Sequence, residues 1–289
     1  MKIDGREIGH PVFIVAELSC SHEGSLDKAK QLIDYAADAG ADACKFQTWL
    51  SPDDMTKDSA DARFVLQSGP WAGKTLHDLY KEAWTPPDWH AELFVYARAK
   101  GLVPFASAFS PAAVAFLETL DCPCYKVASP EIAYLPLIEA MGQTGKPVIV
   151  STGNATSDEV IEAVDCLLHD YALLHCVSRY PAPIEAMNLE KIQTLRNVFD
   201  CPVGLSDHTH GILAPVLAVA MGATVIEKHL MLPWPSDCLD KSFASDPSEF
   251  RAMVKAVRDA EAAMGDGSWD TEPSEFRRRM VDGQWVRCK

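Results

Sequence analysis

Eight short runs rich in β-branched residues recur along the chain, each followed by an amphipathic stretch, and this alternation narrows the possible folds more than any other feature. The runs are Val12–Ser19, Ala43–Thr48, Leu102–Phe109, Cys124–Ser129, Pro147–Gly153, Ala172–Ser178, Pro202–Thr209 and Thr224–Met231. Apolar residues at helical spacing fill the intervals, for instance at Leu26–Ala39, Asp88–Lys100, Ala112–Leu120, Ser157–Leu168 and Ile212–Met221, and a final helix is predicted over Pro247–Met264. Strand followed by helix, eight times over, is the order of a (β/α)8 TIM barrel. Doubly wound sheets alternate in the same way, so the count of eight decides between them. A barrel takes about 250 residues, so a chain of 289 has no room for a second domain of any size. The expected division is a barrel over 1–265 and a C-terminal extension over 266–289, with Trp269, Arg277, Arg279 and Trp285 packed on the barrel or on a partner.

Composition limits the partners. The chain carries 26 basic and 41 acidic residues, a formal charge of −15, which argues against a nucleic-acid backbone or an anionic membrane. A few lysines converging on one pocket override that global sign locally, so an anionic small molecule stays possible. At 48% hydrophobic the sequence is that of an ordinary globular protein rather than a disordered one. No stretch is long enough to span a bilayer, and Met1-Lys2-Ile3-Asp4-Gly5 lacks the apolar segment of a signal peptide. The nine cysteines are scattered without CxxC spacing; Cys122 and Cys124 flank a proline and make a poor zinc half-site. Reduced, buried thiols in a cytoplasmic protein are the expectation.

Barrel chemistry sits where strands end, and polar residues are dense there. The first run ends in Glu17 and Ser19, with Ser21 and His22 beyond; the second ends in Lys45 and Gln47. Ser107, then Lys126, Ser129 and Glu131, then Ser151 close the next three. The last three end in His175 and Ser178 with Tyr180 beyond, in Ser206, Asp207 and His208, and in Glu227, Lys228 and His229. Two connections are long, Leu50–Pro87 and Met231–Ala244, a length typical of lids and binding loops.

Alternation along a strand sorts these residues into faces. Lys45 and Gln47 point together, as do Ser206 and His208, and Glu227 and His229; Lys228 falls on the outward parity and reads as a structural ion-pair residue. His208 and His229 end neighbouring strands, so their imidazoles either converge on one divalent cation or hydrogen-bond to carboxylates such as Asp207 and Glu227. Spacing leaves both open. Lys45 and Lys126 in the barrel mouth require anions to match. Those anions are Glu17 and Glu131, or else a phosphate and a carboxylate of a substrate held with serine hydroxyls; a third reading makes one lysine a Schiff-base nucleophile of depressed pKa. His22, His175 and Tyr180 are weaker candidates, since a lone residue at a strand end is more often a satisfied core group.

Taken together, these stretches resemble the sialic acid (N-acetylneuraminate) synthase family. The resemblance rests on Ala16-Glu17-Leu18-Ser19-Cys20-Ser21-His22-Glu23-Gly24-Ser25, Gly40-Ala41-Asp42-Ala43-Cys44-Lys45-Phe46-Gln47-Thr48 and Tyr125-Lys126-Val127-Ala128-Ser129. It continues through Ser151-Thr152-Gly153, Leu174-His175-Cys176-Val177-Ser178 with Tyr180-Pro181, Gly204-Leu205-Ser206-Asp207-His208-Thr209 and Ile226-Glu227-Lys228-His229. Seven motifs in order span nearly the whole barrel.

The resemblance implies condensation of phosphoenolpyruvate with an open-chain aldehyde sugar, N-acetylmannosamine-like or smaller, assisted by a divalent metal, manganese or magnesium. It makes His208 and His229 the metal ligands and, with Glu17 and Glu131, the catalytic set. It places Lys45, Ser107, Lys126, Ser129, Ser151, Ser178 and Ser206 on phosphoenolpyruvate, and Glu17, Glu131, Tyr180 and Asp240 where the sugar and proton transfer are handled. A homodimer is implied as well. The resemblance covers the barrel alone; the antifreeze-like domain that the family often carries would begin where this sequence stops. Ser21 and Ser178 stand where asparagine is usual, Ser110 where aspartate is usual, and 232–240 departs from the usual acceptor loop. The rival readings are a Schiff-base aldolase or lyase, and a barrel that binds a sugar acid without turnover.

Overall fold

The computed structural model of the chain describes residues 1–59, 61–265, 267–268 and 278–287. Eight parallel strands close into a barrel: β1 (Phe13–Glu17), β2 (Ala43–Thr48), β3 (Val103–Ala108), β4 (Tyr125–Val127), β5 (Val148–Ser151), β6 (Tyr171–Cys176), β7 (Val203–Asp207) and β8 (Val225–His229). Neighbours follow chain order, and β8 pairs with β1 to shut the ring. A helix follows each strand: α1 (Leu26–Ala39), α2 (Pro87–Ala99), α3 (Pro111–Glu118), α4 (Leu135–Gly142), α5 (Ser157–Asp165), α6 (Lys191–Phe199), α7 (Leu213–Ala220) and α8 (Pro247–Met264). The predicted barrel is therefore the observed one. Most strands are a residue or two shorter at each end than the apolar runs, because the run continues into loop backbone after pairing stops.

Local chemistry sets the helix limits. The Ser25 side chain accepts the Lys28 N–H to start α1, and Gly40, at φ 88°, ends it in the left-handed region that glycine enters without steric cost. Asp246 caps α8 by accepting from Ser248 and Glu249. An N-terminal hairpin, Lys2–Ile3 with Arg6–Glu7, covers the barrel end where strands begin: Ile3 is fully buried, and Arg6 reaches Asp42 at the foot of β2 at 3.1 Å. That cover leaves the opposite end as the open one.

Two segments rise around that open end. Residues 50–86 form an insertion holding two short helices, Pro52–Met55 and Leu76–Glu82. Residues 231–244 form the second, tied to the end of β8 by Ser245 N–H to the His229 carbonyl at 2.9 Å. Trp71 joins the two, its indole N–H donating to the Leu239 carbonyl at 2.9 Å. In the expected extension, Arg278–Val281 and Gln284–Arg287 pair as an antiparallel hairpin; Trp269 and Arg277 lie outside the described residues.

Gly204 shows how tightly β7 is held. A Cβ there would meet the Val225 carbonyl oxygen and come within 2.8 Å of Leu174 Cδ2, and backbone cannot yield as a side chain does. Gly204→Ala is expected to cost about 1–3 kcal/mol as overpacking and to lower the thermal midpoint by several degrees, measured by differential scanning fluorimetry.

Candidate active site

Strand register brings the charged residues together. Glu17 lies opposite Lys45 on one side and His229 on the other, Ser107 opposite Lys126, and Ser206 opposite Glu227. Facing residues on parallel neighbours point to the same side, so these share the barrel interior. The Lys45 ammonium contacts Glu17, lies 3.8 Å from Glu227 and donates to Ser107 Oγ at 3.1 Å. Lys126 donates to Ser151 Oγ at 2.6 Å and to the Val127 carbonyl at 3.1 Å, with Glu227 at 3.9 Å. Ser206 Oγ donates to Glu227 at 2.9 Å, and the Ser19 N–H donates to Glu17 at 2.8 Å.

The two lysines differ electrostatically. Burial disfavours both ammonium groups. For Lys45 the adjacent Glu17 and Glu227 outweigh it and raise the pKa. For Lys126 burial prevails, aided by Lys45 and opposed by the more distant Glu227, and the pKa falls. Glu227 is pushed up by burial but held well below the usual carboxylate range by Lys126, Lys45 and the Ser206 hydroxyl. Its Oε2 has no hydrogen-bond partner among the described residues. Beside this network, Ser178 Oγ donates to Ser129 Oγ at 3.1 Å, and Ser129 also accepts the Asn154 N–H at 2.7 Å.

The imidazole pair stands at the ends of β7 and β8, ring centroids 5.4 Å apart. His208 Nδ1 lies 3.0 Å from the Val177 carbonyl, which only accepts, so Nδ1 carries the hydrogen. His229 Nδ1 lies 3.0 Å from Asp240 Oδ2, and the same logic applies. Neither Nε2 makes a hydrogen bond among the described residues. Burial, with His229 nearby, drives the His208 pKa down to about 3, so its ring is neutral. Imidazoles anchored through Nδ1 suit a divalent cation, and the carboxylate behind His229 is the usual orienting partner of such a ligand. Among the described residues no group of three His, Cys, Asp or Glu is placed to hold an ion, so further positions would fall to water or substrate.

Above the charged network lies a cavity of about 230 Å³. Ser19, Gln47, Glu131, Tyr180 and Asp240 form its polar side, and Trp49, Trp71, Tyr80 and Phe109 its apolar side. Burial lifts Glu131 to about 7, and its Oε2 has no partner among the described residues. Tyr180 covers the imidazoles, 4.6 Å from His208.

All the candidate site residues therefore gather at one end of the barrel, in three groups. Two of the pairings left open by the sequence take other partners. Lys126 is balanced by Glu227 rather than Glu131, because Glu227 projects inward from β8 whereas Glu131 lies past the end of β4. The histidines bond to Val177 and Asp240 rather than Asp207 and Glu227, because Asp207 points outward with Lys228, whose ammonium it meets at 2.6 Å. His22 spends both nitrogens on Thr85 and the Gly24 N–H, and His175 bonds the Met187 carbonyl, so both are held structurally. Glu227, Ser19 and Phe243 were missed as site residues. Parity with His229 pointed to Glu227, whereas Phe243 lies in an aperiodic loop that carries no such signal.

A parallel barrel with buried lysines, carboxylates and paired imidazoles at its open end belongs to the class that works on small anionic substrates at strand termini. Residues 32–269 match the NeuB family, and the chain belongs to it. It is 42% identical over 284 residues to pseudaminic acid synthase of Campylobacter jejuni subsp. jejuni serotype O:2, covering 97% of this chain and 82% of that protein. It is 36% identical over 277 residues to N,N'-diacetyllegionaminic acid synthase of Legionella pneumophila, covering 93% and 78%. The N-acetylneuraminic acid (sialic acid) synthetase structure from Leptospira borgpetersenii, in complex with citrate, superposes with a TM-score of 0.84 at 32% identity, covering 95% and 93%.

The outward pair gives a test of structural against functional charge. Lys228→Ala leaves Asp207 buried and unpaired, and breaking such a pair costs about 3–5 kcal/mol. The expected result is a large fall in thermal midpoint; an unchanged midpoint would show that Lys228 is not structural.

Proposed function

We propose that this chain is a synthase that joins phosphoenolpyruvate to the aldehyde carbon of an open-chain sugar, N-acetylmannosamine-like or smaller, giving a 2-keto-3-deoxy sugar acid and phosphate. The observation that carries this reading is the buried Lys45–Lys126 pair set among serine hydroxyls, in a family whose relatives are acid synthases. Lys126 is the lysine short of negative charge, and a donor phosphate or carboxylate supplies it. Lys45, Ser129, Ser178 and the other hydroxyls hold the rest of the donor in line with the cavity.

Donor C3 forms the new bond to the aldehyde carbon, whose oxygen takes a proton and becomes a hydroxyl. Water adds at C2, and the tetrahedral carbon expels phosphate to leave the keto group. Glu131 accepts the proton of that water, with Glu17 the alternative base; Tyr180 and Asp240 border the sugar. His208 and His229 would hold a divalent cation, manganese or magnesium, which when bound polarises the aldehyde oxygen.

A second reading has one observation in its favour. The lowered pKa of Lys126 is what a Schiff-base nucleophile needs. Borohydride with a carbonyl substrate would trap a covalent adduct on Lys126 under this reading and none under the first.

The reading includes a cytoplasmic location, supported by eight described cysteines that are all free, and a homodimer, which light scattering would test. Among the described residues no helix is long and apolar enough to cross a membrane.

Phosphate release from phosphoenolpyruvate with manganese and N-acetylmannosamine is the primary test. Release that a chelator abolishes is expected, and His208→Ala should lower it at least ~100-fold with the thermal midpoint unchanged. Equal release with chelator present would remove the cation.

Glu131 gives the pH dependence. Acting as a base it works only when ionised, so the rate should rise with pH through about 7. Glu131→Gln should abolish that limb, and a limb that persists would assign it to another group.

A further inference from the structure

The turn Asp240–Ala244 delivers two side chains to the imidazole pair. Phe243 N–H and Ala244 N–H both donate to the Asp240 carbonyl at 2.9 Å, so the carboxylate on His229 Nδ1 and the Phe243 ring come from one tight turn. The turn is fixed to β8 through Ser245 N–H to the His229 carbonyl and Met231 N–H to the Ser245 carbonyl, both at 2.9 Å.

Phe243 is only 3% exposed, yet it belongs to none of the three apolar clusters among the described residues. Its ring neighbours lie in the mouth instead: Tyr180 and His229 each at 4.9 Å, His208 and Trp71 each at 6.1 Å, by ring centroids. It meets both imidazoles edge to face, at 71° to His229 and 82° to His208. A hydrogen bond at Nδ1 fixes one atom of each ring but leaves the ring plane free to rock. A flat neighbour against each ring removes that freedom.

We propose that Phe243 is a positioning residue for the His208–His229 pair, fixing the plane in which each ring presents its Nε2. The proposal rests on the reading of these histidines as working residues of the condensation, and on no particular cation or sugar. Tyr180 completes the arrangement from the β6 side, and Trp71, held by its bond to Leu239, backs both Tyr180 and Phe243.

Phe243→Leu and Phe243→Met keep an apolar side chain of similar bulk and remove the flat ring. Both variants should fold, bind phosphoenolpyruvate by calorimetry as the parent does, and keep its KM. Their kcat should fall about 10–100-fold, the range typical of losing an orienting partner. The imidazole 15N signals of His208 should move from a single Nδ1–H tautomer toward tautomer averaging. This last readout needs no turnover, so a chain inactive with phosphoenolpyruvate and N-acetylmannosamine fails the functional reading while the positioning role is still decided. Unchanged tautomer signals, a change confined to the sugar KM, or failure of both variants to fold would each overturn the proposal.

Discussion

Four charged side chains, Glu17, Lys45, Lys126 and Glu227, share the barrel interior almost out of reach of water, each no more than 4% exposed. Desolvating four ions is costly, and their mutual attraction recovers that cost only with close geometry and further hydrogen bonds. Here two carboxylates and two ammoniums cancel, and the hydroxyls of Ser107, Ser151 and Ser206 complete the shell. The balance is uneven. Glu17 sits directly on Lys45, whereas Lys126 faces its carboxylate at 3.9 Å and one oxygen of Glu227 has no hydrogen bond among the described residues. An apolar interior of the same volume would hold a barrel together as well, so stability alone does not account for this cluster.

The remaining parts of the mouth follow from that cluster. Strand parity places Gln47 above Lys45 and His229 above Glu227, so each charge continues outward into a group that can meet a substrate. The cavity beside them is lined by Glu131, Tyr180 and Asp240 together with Trp49 and Tyr80. Electrostatic interactions are strongest where water is scarcest, and the four ions lie in that part of the barrel.

Much of this could be read in the sequence because period and parity report on strands directly. Eight runs gave the barrel, and alternation separated the inward Lys45, Ser206 and Glu227 from the outward Lys228. The outward residue found Asp207, since Lys228 and Asp207 are register neighbours on the same side of adjacent strands. What the sequence concealed lies in loops. Asp240 was placed by resemblance with the sugar, yet its carboxylate bonds His229; Phe243 and Trp71 meet the site through turns whose course no periodicity records. Ser19 takes a left-handed backbone, at φ 40°, unusual for a residue other than glycine, and only coordinates reveal it.

The seam between β8 and β1 joins the first and last parts of the barrel sequence. Glu17 is opposite Lys45 on one flank and opposite His229 on the other, across the join between the first and last strands of the ring. In chain order both lysines precede Glu227 and His229, and until β8 Glu17 is the one inward carboxylate among the four ions. The last strand therefore supplies the second carboxylate and the second imidazole, and the same strand shuts the ring.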